Sequence, residues 1–143
     1  MRWTLALSLL ATAGAAWAAD VGEVKVVHGS AYIERAGAQL PVKVGMAVQE
    51  ADKVLTGRDA TVGITFADNS LLSIGPSSAF AIDRYVFDTT THAGAFDSTL
   101  SKGTLAVVSG KIVKQSPDAM HVRTPSAVMG VRGTDFVVKV SEH

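Results

Sequence analysis

The sequence predicts an all-β protein in which short strands form a single domain. Apolar residues alternate with period two through nearly every segment after residue 20, and turn-forming residues interrupt these segments at spacings of about ten residues. Helical spacing of apolar residues at i, i+3 and i+4 is not sustained anywhere in that region. Short strands between regular turns are typical of sandwiches, barrels and β-solenoids. The many small inward-facing side chains favour solenoid-like stacked layers, while the sandwich and the barrel stay open.

Three segments carry the alternation most clearly. Successive side chains on a strand point to opposite faces of the sheet, so period two indicates a strand with one buried face. The segments are TVGITF at 61–66, SAFAIDRYVF at 78–87 and DFVVKV at 135–140. Their predicted inward-facing residues are Val62, Ile64 and Phe66 in the first, Phe80 and Ile82 in the second, and Phe136, Val138 and Val140 in the third.

Glycine, proline, asparagine, aspartate and serine cluster between these segments and predict the turns, because these residues favour turn geometry. The least patterned stretch, 88–98, is predicted to be a mobile loop. The motif ADNS at 67–70 is interpreted as a hairpin turn, since it lacks the further acidic positions of a calcium loop. The predicted turns lie at 28–30, 36–38, 56–59, 67–70, 75–78, 102–103, 109–110 and 115–118.

Residues 1–19 have the composition of a secretory signal peptide. Arg2 is followed by an apolar stretch and then by small residues with an A-x-A cleavage motif. The apolar stretch is shorter than the roughly 20 residues that a membrane-spanning helix needs. We therefore expect cleavage after Ala18 or Ala19, export to the periplasm, one domain over 20–143, and no stable membrane insertion after cleavage.

Charge and composition argue against several classes of function. The chain has 13 basic and 13 acidic residues, so it lacks the basic surface that nucleic-acid binding requires. Cysteine is absent, no G-x-S-x-G nucleophile motif occurs, and no two histidines have the spacing of a metal-binding pair. We therefore expect no enzyme activity, no metal and no cofactor. The histidines are His28, His92, His121 and His143, of which His121 is expected on the solvent face of a strand.

The motif GVRGTDF interrupts an apolar run near the end of the chain. In a ligand site, backbone amides exposed by Gly130 and Gly133 would bind an anion beside the Arg132 guanidinium. In a structural corner, the glycines would allow a tight bend, and Arg132 would form a buried ion pair with Asp135 or another carboxylate. The Thr134 hydroxyl would then satisfy backbone groups at the bend. The structural interpretation is favoured, because no other reactive groups converge nearby in the sequence, and Arg132, Thr134 and Asp135 stay the ligand or partner candidates.

Three motifs resemble the FecR-like domain of bacterial signalling proteins in order and spacing. The most specific is RTPSAVMGVRGTDF, and D-x-V-x-T-G and L-x-x-G-x-x-S are weaker. The resemblance spans about residues 22–140. Asn69 replaces a glycine that is usual in the family, and we expect the turn to survive because asparagine tolerates left-handed geometry. The motif positions taken as structural are Thr124, Pro125, Gly130, Gly133, Asp52 and Gly57.

The resemblance implies a small all-β periplasmic domain, and the best-known members relay the occupancy of an outer-membrane receptor to a cytoplasmic sigma factor. Those members carry a cytoplasmic segment and a membrane-spanning helix before the domain, where we expect a signal peptide in this chain.

We therefore expect an exported interaction or signalling module that docks another periplasmic or outer-membrane protein. A sheet edge at 136–140 or 24–27 would pair with a strand of the partner. The alternatives are a protein that binds a small anion or a glycan through Arg132, and a structural subunit of a cell-envelope assembly.

Overall fold

The computed structural model describes residues 19–132 and 135–140 and consists mainly of β-strands. About 60% of the described residues are in strands and about 4% are in a helix, which confirms the all-β prediction. In chain order the elements are β1 (Asp20–His28), β2 (Ala31–Arg35), β3 (Ala38–Pro41), β4 (Ala47–Gln49), β5 (Lys53–Thr56), β6 (Thr61–Phe66), β7 (Leu71–Ile74), β8 (Ala79–Phe87), β9 (Gly94–Val108), α1 (Lys111–Gln115), β10 (Met120–Arg123), β11 (Val128–Gly130) and β12 (Asp135–Val140).

Two sheets share the long strand β9. The first half of β9 lies between β8 and β10, and its second half lies between β7 and β12. Sheet A therefore has the strand order β4-β1-β6-β7-β9-β12, and sheet B has the order β3-β2-β5-β8-β9-β10-β11. Because β9 continues through both sheets, they form one curled surface that resembles half of a barrel.

Gly103 marks the point where β9 passes from one sheet to the other. β8 pairs with β9 as far as Lys102, and β12 pairs with β9 from Gly103 onward. Gly103 has a φ of +92°, and a Cβ at this position would collide with Cα and Oγ of Ser78. Ser78 Oγ accepts a hydrogen bond from Thr104 N at 2.9 Å. The predicted turn at 102–103 is therefore wrong, because the glycine allows a bend within a continuous strand.

Neighbouring strands in the described part of the chain are antiparallel, except that β10 runs parallel to β9. A β-solenoid would instead stack parallel strands from successive coils. The predicted preference for solenoid-like stacked layers is therefore wrong. Short turns such as the one between β6 and β7 reverse the chain, and a reversed chain pairs with itself in the antiparallel sense.

The core is built from the inward-facing residues that the alternation predicts. Phe66, Tyr85 and Phe96 pack with their ring centroids 4.7 to 5.4 Å apart, within the range of favourable aromatic contacts. The predicted residues Val62, Ile64, Phe66, Phe80, Ile82 and Val138 are buried, and Phe136 and Val140 are half-buried at the end of sheet A.

Helix α1 and the start of β9 differ from the expectation. The helix has five residues, too few to show a helical period, and its Ile112 side chain is buried. Asp68 holds its first turn, because the carboxylate accepts a hydrogen bond from Ile112 N at 3.2 Å and the backbone oxygen accepts one from Lys111 N at 2.8 Å. The loop predicted over 88–98 is shorter than expected, since residues from Gly94 onward pair with β8.

Candidate interaction surface

The structure places Arg132 at the surface rather than in a buried ion pair. Its Nη2 lies 2.6 Å from Asp118 Oδ1, and the two side chains are 76% and 75% exposed. The expected burial of this pair is therefore wrong, because both groups remain in water. Asp135 is exposed at the start of β12. Gly133 and Thr134 lie outside the described residues.

Other positions of the RTPSAVMGVRGTDF motif form a hairpin between β10 and β11. Thr124 N donates a hydrogen bond to Ala127 O at 2.8 Å, and Ala127 N donates one to Thr124 Oγ1 at 3.2 Å. Pro125 lies within this turn. Gly130 ends β11 in open space, because nothing except its chain neighbours comes within 4 Å of a Cβ placed there. Thr124 thus closes a turn, and the bend expected between β11 and β12 falls partly on residues 133–134, which lie outside the described residues.

Asp52, a buried carboxylate, forms an ion pair with the half-buried Arg35. Arg35 Nε donates to Asp52 Oδ1 at 2.9 Å and Nη2 donates to Oδ2 at 2.7 Å, while Gln49 N also donates to Oδ2 at 2.9 Å. Asp52 is 1% exposed, and its hydrogen bond raises the pKa of Arg35. Sequence reasoning missed the arginine, which lies 17 residues away on β2. Gly57 stabilises a nearby turn by donating its N–H to Ser30 O at 3.0 Å.

Asp68 is a second buried carboxylate, and sequence reasoning treated it only as part of a hairpin turn. Its oxygens accept hydrogen bonds from Tyr85 Oη at 2.9 Å and from Ser70 Oγ at 2.7 Å. Burial raises the pKa of Tyr85, and the negative charge of Asp68 raises it further. Asn69 has a φ of +69°, as expected for a turn that usually carries glycine. The network joins β6, β7, β8 and α1, so its role is structural.

Side chains that could perform chemistry are dispersed over the described residues. No group of three or more His, Cys, Asp or Glu side chains within 19–132 and 135–140 is placed to hold a metal ion. His121 Nδ1 lies 3.1 Å from Asp97 Oδ1, and the His121 side chain is 41% exposed, which confirms its predicted place on a solvent face. The candidates that remain for a functional surface are therefore the edges and outer faces of the sheets.

Four strands have a paired neighbour on one side only within the described part of the chain, namely β3, β4, β11 and β12. Short length and proline protect an edge from pairing with other chains. β3 has four residues and ends in Pro41, and β4 and β11 have three residues each. β12 has six residues and no proline. The predicted edge at 136–140 is confirmed. The edge predicted at 24–27 is confirmed in part, because β4 pairs with β1 only from Asp20 to Glu23, and Val26 and Val27 pair with β6 alone. Val24 is not part of this open edge, because its N–H donates to Met46 O and its carbonyl oxygen accepts from Gly45 N.

An apolar patch adjoins the β12 edge on the outer face of sheet A. We define the β12 patch as Leu71, Val108 and Val137, whose residues are 46%, 43% and 69% exposed. Val137 lies opposite Ala106, and Ala106 lies opposite Ser73, so small side chains leave a shallow depression between the three apolar residues. An exposed apolar patch beside an unpaired edge is typical of a protein-binding surface.

Comparison with known proteins identifies the family of this chain. The family model described as FecR protein matches residues 52–143, a span that contains Asp52, the β12 patch and the β12 edge. Neither the curated proteins nor the solved structures give a match. No helix within the described residues is long and apolar enough to cross a membrane.

Proposed function

Because the chain belongs to the FecR protein family, whose domains mediate protein interactions in signalling, we propose that it is an exported interaction module of the bacterial cell envelope. In this proposal the segment 1–19 directs the chain to the periplasm and is then removed. The remaining domain docks another periplasmic or outer-membrane protein and performs no catalysis. The family is typically associated with the envelope, which supports the proposed location.

The open edge of β12 is the observation that carries this proposal. A partner strand would extend sheet A by hydrogen bonding to the outward backbone groups of β12. Apolar side chains of the partner strand would then cover the β12 patch. Burial of this patch would add hydrophobic stabilisation that backbone hydrogen bonds alone do not provide. The exposed Arg132 beside this strand would contact the rim of such an interface, where charges add specificity more than affinity.

Site-specific crosslinking in the envelope tests the proposal. A photo-crosslinking amino acid replaces Val137 in the full chain, and the matched control replaces Val44, a valine of similar exposure at 66% that precedes β4. We expect position 137 to yield an adduct with a different protein in the periplasmic or outer-membrane fraction, and position 44 to yield none. Mass spectrometry identifies the partner, and binding is repeated with both purified proteins.

Equal adducts at positions 137 and 44 would contradict docking at β12. Retention of the chain in the cytoplasm would contradict export. A purified partner that binds unchanged to a Val137→Lys variant would show that the partner uses another surface, since this change places a charge within the β12 patch.

A further inference from the structure

We propose that β12 also pairs with β12 of a second copy of this chain, in the antiparallel sense and centred on Val137. The sequence of β12 is DFVVKV, in which Asp135 stands two residues before Val137 and Lys139 stands two residues after it. All three residues are exposed, and period two places them on the outer face of sheet A. A two-fold axis through Val137 sets Asp135 of each copy opposite Lys139 of the other.

The charge pattern selects this register over the neighbouring ones. Opposite charges that face each other across an antiparallel pair are stabilising, and like charges are destabilising. A shift of two residues in either direction sets Val137 against a charged residue and separates Asp135 from Lys139. Parallel pairing in register would bring the two aspartates together and the two lysines together. The antiparallel register centred on Val137 is therefore the one in which both charged pairs form.

The apolar residues of β12 agree with the same register. On the inner face, the half-buried Phe136 of one copy would lie opposite Val138 of the other, and aromatic side chains pair well with β-branched ones across strands. On the outer face, the Val137 side chains of both copies would meet on the axis. The two β12 patches would then become one continuous apolar surface, flanked by the charged pairs.

Self-pairing would also protect the edge. A six-residue strand with unpaired backbone groups and exposed valines can pair with unrelated chains. A two-fold interface uses the same surface on both copies, so it closes at two and leaves no free β12 edge for further growth. This inference rests on the proposed docking role of β12, because a partner strand and a second copy would compete for one edge.

Charge reversal tests the proposal on the purified protein expressed from the full chain. Asp135→Lys sets lysine against lysine at both ends of the pair, and Lys139→Asp sets aspartate against aspartate. Sedimentation velocity over a wide concentration range should show the unchanged protein converting from monomer to dimer. Each single variant should remain monomeric at concentrations where most of the unchanged protein is dimeric.

Mixing the two single variants provides the decisive measurement. The first variant carries lysine at positions 135 and 139, and the second carries aspartate at both. Each lysine of one variant therefore faces an aspartate of the other, so a heterodimer should form from two monomeric proteins. The double variant Asp135→Lys with Lys139→Asp should also dimerise. The control Lys25→Asp changes the net charge by the same amount on β1 of sheet A and should leave dimerisation unchanged.

The inference fails if the unchanged protein is monomeric at every concentration, if the single variants dimerise equally well, or if their mixture stays monomeric while circular dichroism shows both folded. Growth beyond a dimer would overturn the closed interface and favour a structural assembly. These outcomes are separable from the crosslinking result. A monomer that still forms the partner adduct refutes only self-pairing, and a dimer without that adduct refutes only the proposed function.

Discussion

At the scale of single residues, carboxylates rather than basic side chains organise this fold. Asp52 links the end of β2 to the turn between β4 and β5, because its carboxylate accepts two hydrogen bonds from Arg35 and one from Gln49 N. Asp68 connects a hairpin to β8 and to α1 in the same manner. Both are almost completely buried, and a buried carboxylate is stable only when its oxygens are hydrogen-bonded.

Removal of the Asp52 carboxylate should therefore cost far more stability than removal of the Arg132 guanidinium. We expect Asp52→Ala to lower the free energy of unfolding by about 3 kcal/mol, because Arg35 is left poorly solvated and without its partner. Arg132→Ala should change it by less than about 1 kcal/mol, since its ion pair is exposed. Urea denaturation of both variants provides the measurement. Equal losses would contradict the surface position of Arg132.

Tyr85 should make stability sensitive to alkaline pH. Its pKa in the folded protein lies above the ordinary value of 10.0, because burial and Asp68 disfavour the phenolate. The resulting stabilisation is complete below about pH 10, where tyrosine is protonated in both states. It is lost as the pH rises further, because the unfolded chain then releases the proton first. Denaturation midpoints measured across this range should fall less steeply in Tyr85→Phe than in the unchanged protein.

The matched control for this effect is Tyr32→Phe, which removes a tyrosine that is 43% exposed. It should keep the alkaline decline of the unchanged protein. If Tyr32→Phe flattens the decline as much as Tyr85→Phe does, the contact between Tyr85 and Asp68 is not its source.

At the scale of elements, β9 determines how the two sheets are joined. Its first half completes sheet B and its second half completes sheet A, so the geometry at Gly103 sets the relative placement of both sheets. The positive φ of this residue and the closeness of Ser78 exclude a side chain. The β12 edge depends on this bend as well, because β12 pairs with β9 from Gly103 onward.

Gly103→Ala should destabilise the protein by more than about 1 kcal/mol, since alanine is strained at positive φ and its Cβ would displace Ser78. Gly130→Ala is the matched control, because Gly130 has free space around it, and its change should stay within about 0.5 kcal/mol. Thermal unfolding of the two variants gives the comparison. A larger loss for Gly130→Ala would show that the strand passes between the sheets in another way.

At the scale of the whole molecule, sheet A ends in an edge that is long enough to bind another chain. In the described structure the other strands that are open along one whole side, β3, β4 and β11, are three or four residues long, and β1 and β8 are open on one side over part of their length. One edge with one adjoining apolar patch can hold a single occupant at a time, either a signalling partner or a second copy. The proposed partner and the proposed second copy would therefore compete for this edge, so the concentration of this protein would set how readily the partner binds.

The sequence by itself determined the strands and their buried faces, because period-two alternation is a local property that each segment displays without its neighbours. TVGITF and DFVVKV lie in strands with the predicted inward residues, and the turn at Asn69 has the expected left-handed geometry. The family motifs in residues 52–143 could likewise be identified from the residues in order.

The tertiary structure alone decided which strands pair, where β9 bends and which charges are buried. Arg35 is hydrogen-bonded to Asp52, and Tyr85 to Asp68, and the partners in each pair are 17 residues apart in the sequence. No local sequence pattern predicts either contact. Arg132 lies beside turn-forming glycines in the sequence yet remains exposed to water, and the first turn of α1 is held by the Asp68 carboxylate, which is distant in the sequence. Strand pairing and burial depend on contacts between distant segments, so they could not be predicted from the sequence. Alternation depends only on successive residues, and the strands could therefore be predicted.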